Sequence, residues 1–272
     1  MVALPVLMMG AAVGSFINVV VWRLPRKESI VLPPSHCPRC GTNLSWFDNI
    51  PMISWWILGG RCRYCRGSIS SRYPLVEVLC AFLWAAVLLA RSEAMGAAPN
   101  PWLMLVAGWL LVSWLLPLVL IDLDSMWLPE PLCRWGVVLG TAMTALIGFA
   151  QGFDVGRSLL LAHLCASGLG LLGFEAVSSM AERLYGRPAL GLGDAKLAAL
   201  IGSWLGPAGL AVAVALAVVG GALVGGAGRL TGRLAPHQPF PFGPFLALGA
   251  VAVWLCGHHL WINLVGLDPL MV

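Results

Sequence analysis

Two kinds of side chain in this 272-residue sequence have types and spacings suited to chemistry: paired cysteines, and aspartates at the ends of apolar segments. The cysteines form two CxxC pairs, Cys37 with Cys40 and Cys62 with Cys65, separated by 21 residues. This separation is slightly longer than the commonest zinc-ribbon spacing but is of that type. The alternative is a pair of unrelated reduced thiols or a redox CxxC motif. We predict that the four thiolates bind a structural Zn²⁺ ion.

The aspartates lie where apolar segments begin or end. Asp122 and Asp124 stand at the end of one apolar run, and Asp194 follows a turn that contains Gly191 and Gly193. Charged groups at membrane depth are costly, so each is a candidate for function. Two carboxylates held close share one proton, and one then acts as a general base on water while the other acts as a general acid. This is aspartic protease chemistry, and the glycines let the backbone and an extended substrate approach.

Each aspartate also has a simpler interpretation. A GxGD match alone is weak, and Asp194 at a helix start is equally well explained as a helix cap. Residues two apart on a helix point about 200° apart, so Asp122 and Asp124 cannot both face a dyad unless the helix ends between them. Glu77 and Glu175 also lie in apolar surroundings, and each can be a structural ion pair or a solvated acid.

Membrane-spanning helices must position these residues. The chain is 59% apolar and 10% charged, with a mean hydropathy of +0.87, which excludes an ordinary water-soluble domain. Because the chain belongs in a lipid bilayer, its net charge of +4 does not indicate nucleic acid binding. The predicted fold is an all-α polytopic membrane protein. Apolar runs predict about eight spans, near residues 2–22, 75–90, 102–121, 132–150, 158–178, 196–206, 208–227 and 244–264.

The distribution of basic residues predicts the orientation. Half of the Lys and Arg residues lie between Arg23 and Arg72, directly after the first apolar run. This order predicts an uncleaved first helix with a periplasmic N-terminus, and it places both aspartates at the cytoplasmic face. Thiols there stay reduced or bind metal. We predict a first transmembrane helix over 1–22, a cytoplasmic zinc-knuckle domain over 23–74 and a membrane-embedded protease core over 75–272.

Several sequence features occur together in one order. They are Gly14–Val20 followed by Arg23–Pro25, the two CxxC pairs, Arg72–Glu77, Ile121 with Asp122, the GxGD turn with Lys196 after it, and Pro241–Phe245. In this combination the chain resembles the type IV prepilin peptidase family along nearly its whole length. One position departs from the family pattern, because the usual Leu-Pro-Asp after the first aspartate is Leu128-Pro129-Glu130 here.

The resemblance implies a bifunctional enzyme of the bacterial inner membrane. It would cleave the basic leader peptide of type IV prepilins or type II secretion pseudopilins after a glycine, on the cytoplasmic side. It would then methylate the new N-terminal amine with S-adenosylmethionine, whose binding residues are unknown from the sequence. The family's catalytic aspartates correspond to Asp122 and Asp194, and the supporting residues for substrate or turn are Gly191, Gly193, Lys196 and Glu77.

Two other functions use the same residues. The acids could form the relay of a proton-coupled transporter, or the chain could be a zinc-bearing membrane scaffold without chemistry. A transporter should place its acids nearer the midplane and often shows inverted repeats, neither of which we find. A scaffold would not need Asp122 and Asp194 on one face.

Overall fold

The computed structural model describes residues 3–92, 100–186, 191–233 and 240–264. Over these residues the chain forms nine α-helices and no β-strand, with two isolated β-bridges in the cysteine-rich region. The predicted all-α class is therefore confirmed. The helices are α1 Ala3–Arg23, α2 Ile53–Ile57, α3 Arg72–Ser92, α4 Pro101–Ser125, α5 Glu130–Phe149, α6 Phe153–Tyr185, α7 Leu192–Leu230, α8 Gly243–Cys256 and α9 His258–Leu264.

Within the described ranges, six helices are long and apolar enough to cross a membrane: α1, α3, α4, α5, α6 and α7. Helix α8 is apolar but has only 14 residues. The predicted number of about eight spans is thus not confirmed. The last predicted span, 244–264, is divided at Gly257, whose φ of 75° separates α8 from α9.

Helix α7 covers two of the predicted spans, 196–206 and 208–227. The two segments are helices that meet at a kink at Gly206, where φ is 69° and ψ is −173°, directly before Pro207. Glycine adopts this backbone conformation without steric cost, and proline cannot continue the hydrogen-bond ladder. The sequence therefore located the interruption correctly, and the two predicted segments lie on either side of it.

Polar side chains from α5 and α6 compensate for this break. Pro207 has no N–H, so the carbonyl of Ser203, four residues earlier, has no helical donor. Thr144 on α5 donates its hydroxyl to that carbonyl at 3.0 Å, and His163 Nδ1 on α6 lies 3.1 Å from it. In a helix that crosses lipid, each freed backbone group needs such a partner.

The chain divides into two compact units. The first contains α1, α2, α3 and residues 108–117 of α4, and in it α1 packs against α3. The second contains the rest of α4 and helices α5 to α9, with α7 packed against α5, α6 and α8. The cysteine pairs belong to the first unit, and Asp122 and Asp194 belong to the second.

Candidate active site and metal site

The four paired cysteines converge on one point of the first unit. The Sγ atoms of Cys37, Cys40, Cys62 and Cys65 all lie within 4.8 Å of one another, and those of Cys37 and Cys65 are 3.8 Å apart. A tetrahedral site with Zn–S bonds of about 2.3 Å separates its sulfur atoms by about 3.8 Å. The donor set and its geometry therefore fit a zinc ion.

Both cysteine pairs are carried by the same backbone turn. In each, the first cysteine donates its N–H to the carbonyl five residues later, at 3.0 Å for Cys37 and 2.8 Å for Cys62. The fourth residue after it is Gly41 in one turn and Arg66 in the other, with φ values of 68° and 56°. The arginine thus takes a left-handed conformation that normally favours glycine. The sequence shows the repeated C-x-x-C motif but not the shared turn, because the two left-handed positions carry different residues.

Polar neighbours also suit the cysteine cluster to metal binding. Thr42 Oγ1 lies 3.3 Å from Cys40 Sγ, and hydrogen bonds with the Thr42 side chain and backbone lower the pKa of this thiol to about 6. A thiol must lose its proton to bind a metal, so these hydrogen bonds favour the liganding form. Desolvation and the neighbouring thiols instead raise the pKa of Cys65 to about 11. Close by in the chain, Arg63 Nε pairs with the buried Asp48 carboxylate at 2.8 Å.

Glu77 lies in the first unit and has a backbone partner. Its side chain is buried on α3, and its Oε2 accepts the N–H of Met52 at 2.6 Å. Met52 has a φ of 60° and directly precedes α2. Glu77 therefore fixes the loop that leads into α2. The two residues are 25 positions apart, and the sequence pattern did not suggest their contact.

Asp122 and Asp194 line one cavity in the second unit, with a volume of about 410 Å³. Asp122 lies in the last turn of α4 and is buried, with 5% of its surface exposed. Its Oδ2 is buried and has no hydrogen-bond partner among the described residues. A buried carboxylate oxygen without a partner is costly, so its presence in a cavity points to a functional group.

Asp124, two residues further along α4, differs from Asp122 in its surroundings. It is exposed, and it is not among the residues that line the cavity with Asp122. The two aspartates thus occupy different sides of the helix end, as a separation of about 200° requires.

Asp194 is the third residue of α7 and makes a capping contact. Gly191 donates its N–H to Asp194 Oδ2 at 3.1 Å, and the N–H of Asp194 donates to the Gly191 carbonyl at 3.0 Å. The capping role considered for this residue is therefore present, while the carboxylate also lines the cavity. Gly193 is the glycine that close packing requires, because a Cβ there would lie 2.9 Å from Leu128 Cβ.

An ion pair stands at the rim of this cavity. Lys196 Nζ lies 3.2 Å from Glu130 Oε2, and both side chains are partly exposed and line the cavity. Exposed pairs of this kind contribute at most about 1 kcal/mol. Glu130 is the residue that replaces the family's usual aspartate, so its longer side chain reaches the lysine of the GxGD turn.

Comparison with known proteins supports one family. A family model described as "Type IV leader peptidase family" matches residues 109–226, and "Bacterial Peptidase A24 N-terminal domain" matches residues 8–91. A "Type 4 prepilin-like proteins leader peptide-processing enzyme" of Escherichia coli O78:H11 (strain H10407 / ETEC) is 35% identical over 276 residues, which covers 92% of this chain and 93% of that protein. The chain belongs to the type IV leader peptidase family.

Two further relatives are named "Prepilin leader peptidase/N-methyltransferase". That of Myxococcus xanthus (strain DK1622) is 39% identical over 84% of this chain, and the match spans 64% of the relative's length. That of Burkholderia pseudomallei (strain K96243) is 33% identical over 96% of this chain and 87% of the relative. No solved structure matches the chain significantly. The matches confirm the family and the class of enzyme predicted from the sequence.

Gly243 lies beside Asp122, and the sequence did not predict this contact. It is the first residue of α8, and a Cβ built on it would lie 2.6 Å from Asp122 Oδ2. The motif Pro241–Phe245 was noted only as a family feature. Its contact with Asp122 depends on the packing of α8 against the rest of the second unit, which no local pattern encodes.

We expect Gly243→Ala to slow leader cleavage by about a hundredfold, because the added methyl group must displace the Asp122 carboxylate by a fraction of an ångström or more. Initial rates of precursor cleavage by the purified, membrane-inserted variant measure the effect. Gly173→Ala on α6 is the matched control, since its Cβ would meet no atom within 4 Å in the described structure. Cleavage at the wild-type rate by Gly243→Ala would contradict the expectation that the position of the Asp122 carboxylate limits the rate.

Proposed function

We propose that this protein cleaves the basic leader peptide of prepilins or pseudopilins at the cytoplasmic face of the bacterial inner membrane, and then methylates the new N-terminal amine. The observation that carries the proposal is that Asp122 and Asp194 line the same cavity, one at the end of α4 and the other at the start of α7. Family membership supports both activities.

The two carboxylates perform the hydrolysis as an acid and a base. One, ionised, takes a proton from a water molecule that attacks the scissile carbonyl, and the other, protonated, gives its proton to the leaving amide nitrogen. Gly191 orients Asp194 through its N–H, and Gly243 leaves room for the Asp122 carboxylate. Neither group forms a covalent bond with the substrate in this mechanism.

The position of the cavity suits a substrate that is half in the membrane. A prepilin presents a short basic leader followed by an apolar helix, so its scissile bond lies near the inner interface. Asp122 and Asp194 stand at helix ends and line a cavity there, so hydrolysis at this position requires no deep water channel. Trp127, Leu128 and Met126 supply apolar lining beside the two acids.

The zinc ion has a structural role in this proposal. Cys37, Cys40, Cys62 and Cys65 hold it and so fix the cytoplasmic domain over 23–74. The proposed domain limits lie near the end of α1 at Arg23 and near the start of α3 at Arg72. S-adenosylmethionine, when bound, supplies the methyl group for the second activity, and the chain must present the new amine to it in the neutral form.

The test is incubation of the purified protein, in lipid, with a leader-bearing pilin precursor and S-adenosylmethionine, followed by mass measurement of the product's N-terminus. We expect loss of the leader and the mass gain of one methyl group. An uncut precursor would contradict the proposed function and favour a transporter or a scaffold. A cut but unmethylated product would confine the protein to the peptidase activity.

The two activities should be separable, because hydrolysis needs paired carboxylates whereas methyl transfer needs a neutral amine in line with a sulfonium carbon. We expect Asp194→Asn, supplied with a mature pilin whose N-terminal amine is already free, to methylate it at about the wild-type rate although it cannot cut the precursor. Transfer of a labelled methyl group measures the result, with Asp122→Asn as a parallel sample. Loss of methylation in both variants, with zinc content intact, would mean that the aspartates also serve methyl transfer.

A further inference from the structure

The cysteine-rich region exposes large apolar side chains on one short helix and the turn before it. Trp46 is 80% exposed, Trp56 is 73% exposed and Ile57 is 75% exposed, and Ile53 is also more than half exposed. We call these four residues the α2 surface. Exposed aromatic and aliphatic clusters of this kind on a small domain usually mark a contact with another molecule or a membrane.

The geometry of α2 places its apolar residues outward. Ile53, Trp56 and Ile57 have the spacing i, i+3, i+4 and so share one face of the helix. The residues between them point inward: Ser54 Oγ donates to the Phe47 carbonyl at 2.7 Å, and Trp55 Nε1 donates to the Ile69 carbonyl at 3.1 Å. The apolar face of α2 is therefore exposed, and its hydrogen-bonding side chains point into the domain. A helix that packs on a core has the opposite arrangement, with its apolar face inside.

A contact with α3 fixes the depth of this surface. Met52, directly before α2, donates its N–H to Glu77, which lies five residues into the membrane-spanning helix α3. At 1.5 Å per residue, Glu77 is about 8 Å along the helix axis from its first residue. The start of α2 is thus level with the second turn of a membrane span. This depth corresponds to the headgroup and upper acyl region of a bilayer, where tryptophan is enriched.

The positive charge of the same region favours contact with anionic lipids. Between residues 23 and 72 there are eight Lys and Arg residues and only two acids, and one of the acids, Asp48, is paired with Arg63. Six of the basic residues are exposed, and five of them are not the partner of Asp48: Arg26, Lys27, Arg39, Arg61 and Arg66. A basic segment next to a membrane span is attracted to an anionic lipid surface.

We propose that the α2 surface inserts into the headgroup and acyl boundary of the cytoplasmic leaflet, beside anionic phospholipids held by the surrounding basic residues. The choice of leaflet rests on the orientation proposed above. The alternative apolar partner for the α2 surface is the apolar helix of the prepilin substrate. Its adjoining leader is basic, however, and the basic region around α2 repels it.

The test uses the full-length protein in nanodiscs of zwitterionic and anionic phospholipid, with an environment-sensitive fluorescent amino acid at Ile57. We expect quenching by lipids that carry a shallow spin label to be several-fold stronger than quenching by aqueous iodide. The same amino acid at Tyr64, exposed between the cysteines of the second pair and outside the α2 surface, is the control and should show the opposite order. Zinc content of both variants confirms that the domain is folded.

Two further arms decide the occupant. Replacing the anionic lipid by zwitterionic lipid should weaken the lipid quenching at Ile57, and unchanged quenching would overturn the role of anionic lipid. Stronger quenching by iodide than by lipid at Ile57, or equal lipid quenching at Tyr64, would overturn insertion of the α2 surface. Loss of lipid quenching at Ile57 on addition of a prepilin would instead assign the surface to the substrate. Because none of these readouts requires cleavage, a failed insertion is distinguishable from a failed peptidase.

Discussion

Asp122→Asn and Asp194→Asn will each lower leader-peptide cleavage by about a thousandfold or more while the protein stays inserted in the membrane. The amide is nearly isosteric with the carboxyl group, so the packing of the cavity is preserved. It cannot take a proton from the attacking water or share one with the opposite carboxyl group. Initial rates of cleavage of a purified precursor, at equal amounts of inserted protein, measure the loss.

Asp124→Asn is the matched control for the dyad variants. Asp124 is exposed at the end of the same helix, two residues from Asp122, and it does not line the cavity. The control variant carries the same chemical change in the same segment and should keep substantial activity. Equal loss in all three variants would contradict the assignment of the dyad by helical face.

Asp122 and Asp124 illustrate what helical periodicity can decide. The period of 3.6 residues excludes a dyad that uses both residues, and the structure places the first in a cavity and the second at the surface. The proposed partner of Asp122, Asp194, is 72 residues away in the sequence. Helical periodicity carries no information over that distance, and the charge distribution predicted only that the two helix ends lie on the same membrane side. The resemblance to a known family implied that Asp122, and not Asp124, is the aspartate that pairs with Asp194.

Gly243 and Glu77 show what the sequence could not predict. The residue that approaches the Asp122 carboxylate comes from α8, and the residue that fixes the loop before α2 comes from α3. Both contacts arise where separate helices pack, and packing is set by the summed fit of many side chains instead of by any one spacing. Local patterns therefore identified the motifs that contain these two residues but not what each residue touches.

The break within α7 also depends on contacts between separate helices. Gly206 and Pro207 mark the break in the sequence, but they do not show that Thr144 and His163 bind the freed carbonyl of Ser203. The partners of that carbonyl lie on two other helices. How a break at a glycine and a proline is stabilised thus depends on residues far away in the sequence.

Removal of the zinc ligands will strongly destabilise the cysteine-rich region. Replacing Cys37, Cys40, Cys62 or Cys65 by Ser should unfold the region over 23–74, because ligand loss removes folding free energy of the order of 10 kcal/mol from a small zinc module. A segment of this size has few large buried apolar side chains to compensate. We expect zinc to fall well below one ion per chain and trypsin to cut within this region, which carries eight Lys and Arg residues between 23 and 72.

Cys165→Ser separates loss of the metal from loss of a thiol. Cys165 is exposed on α6, outside the cysteine cluster, so this variant should keep one zinc ion per chain and the wild-type pattern of proteolysis. If it also loses zinc, the effect of the other variants cannot be assigned to the four converging thiols. A pure, active wild-type preparation with well under one zinc per chain would contradict the tetrathiolate site itself. In that case the two matching turns around Cys37 and Cys62 would have to hold the four sulfur atoms together through their backbone hydrogen bonds alone.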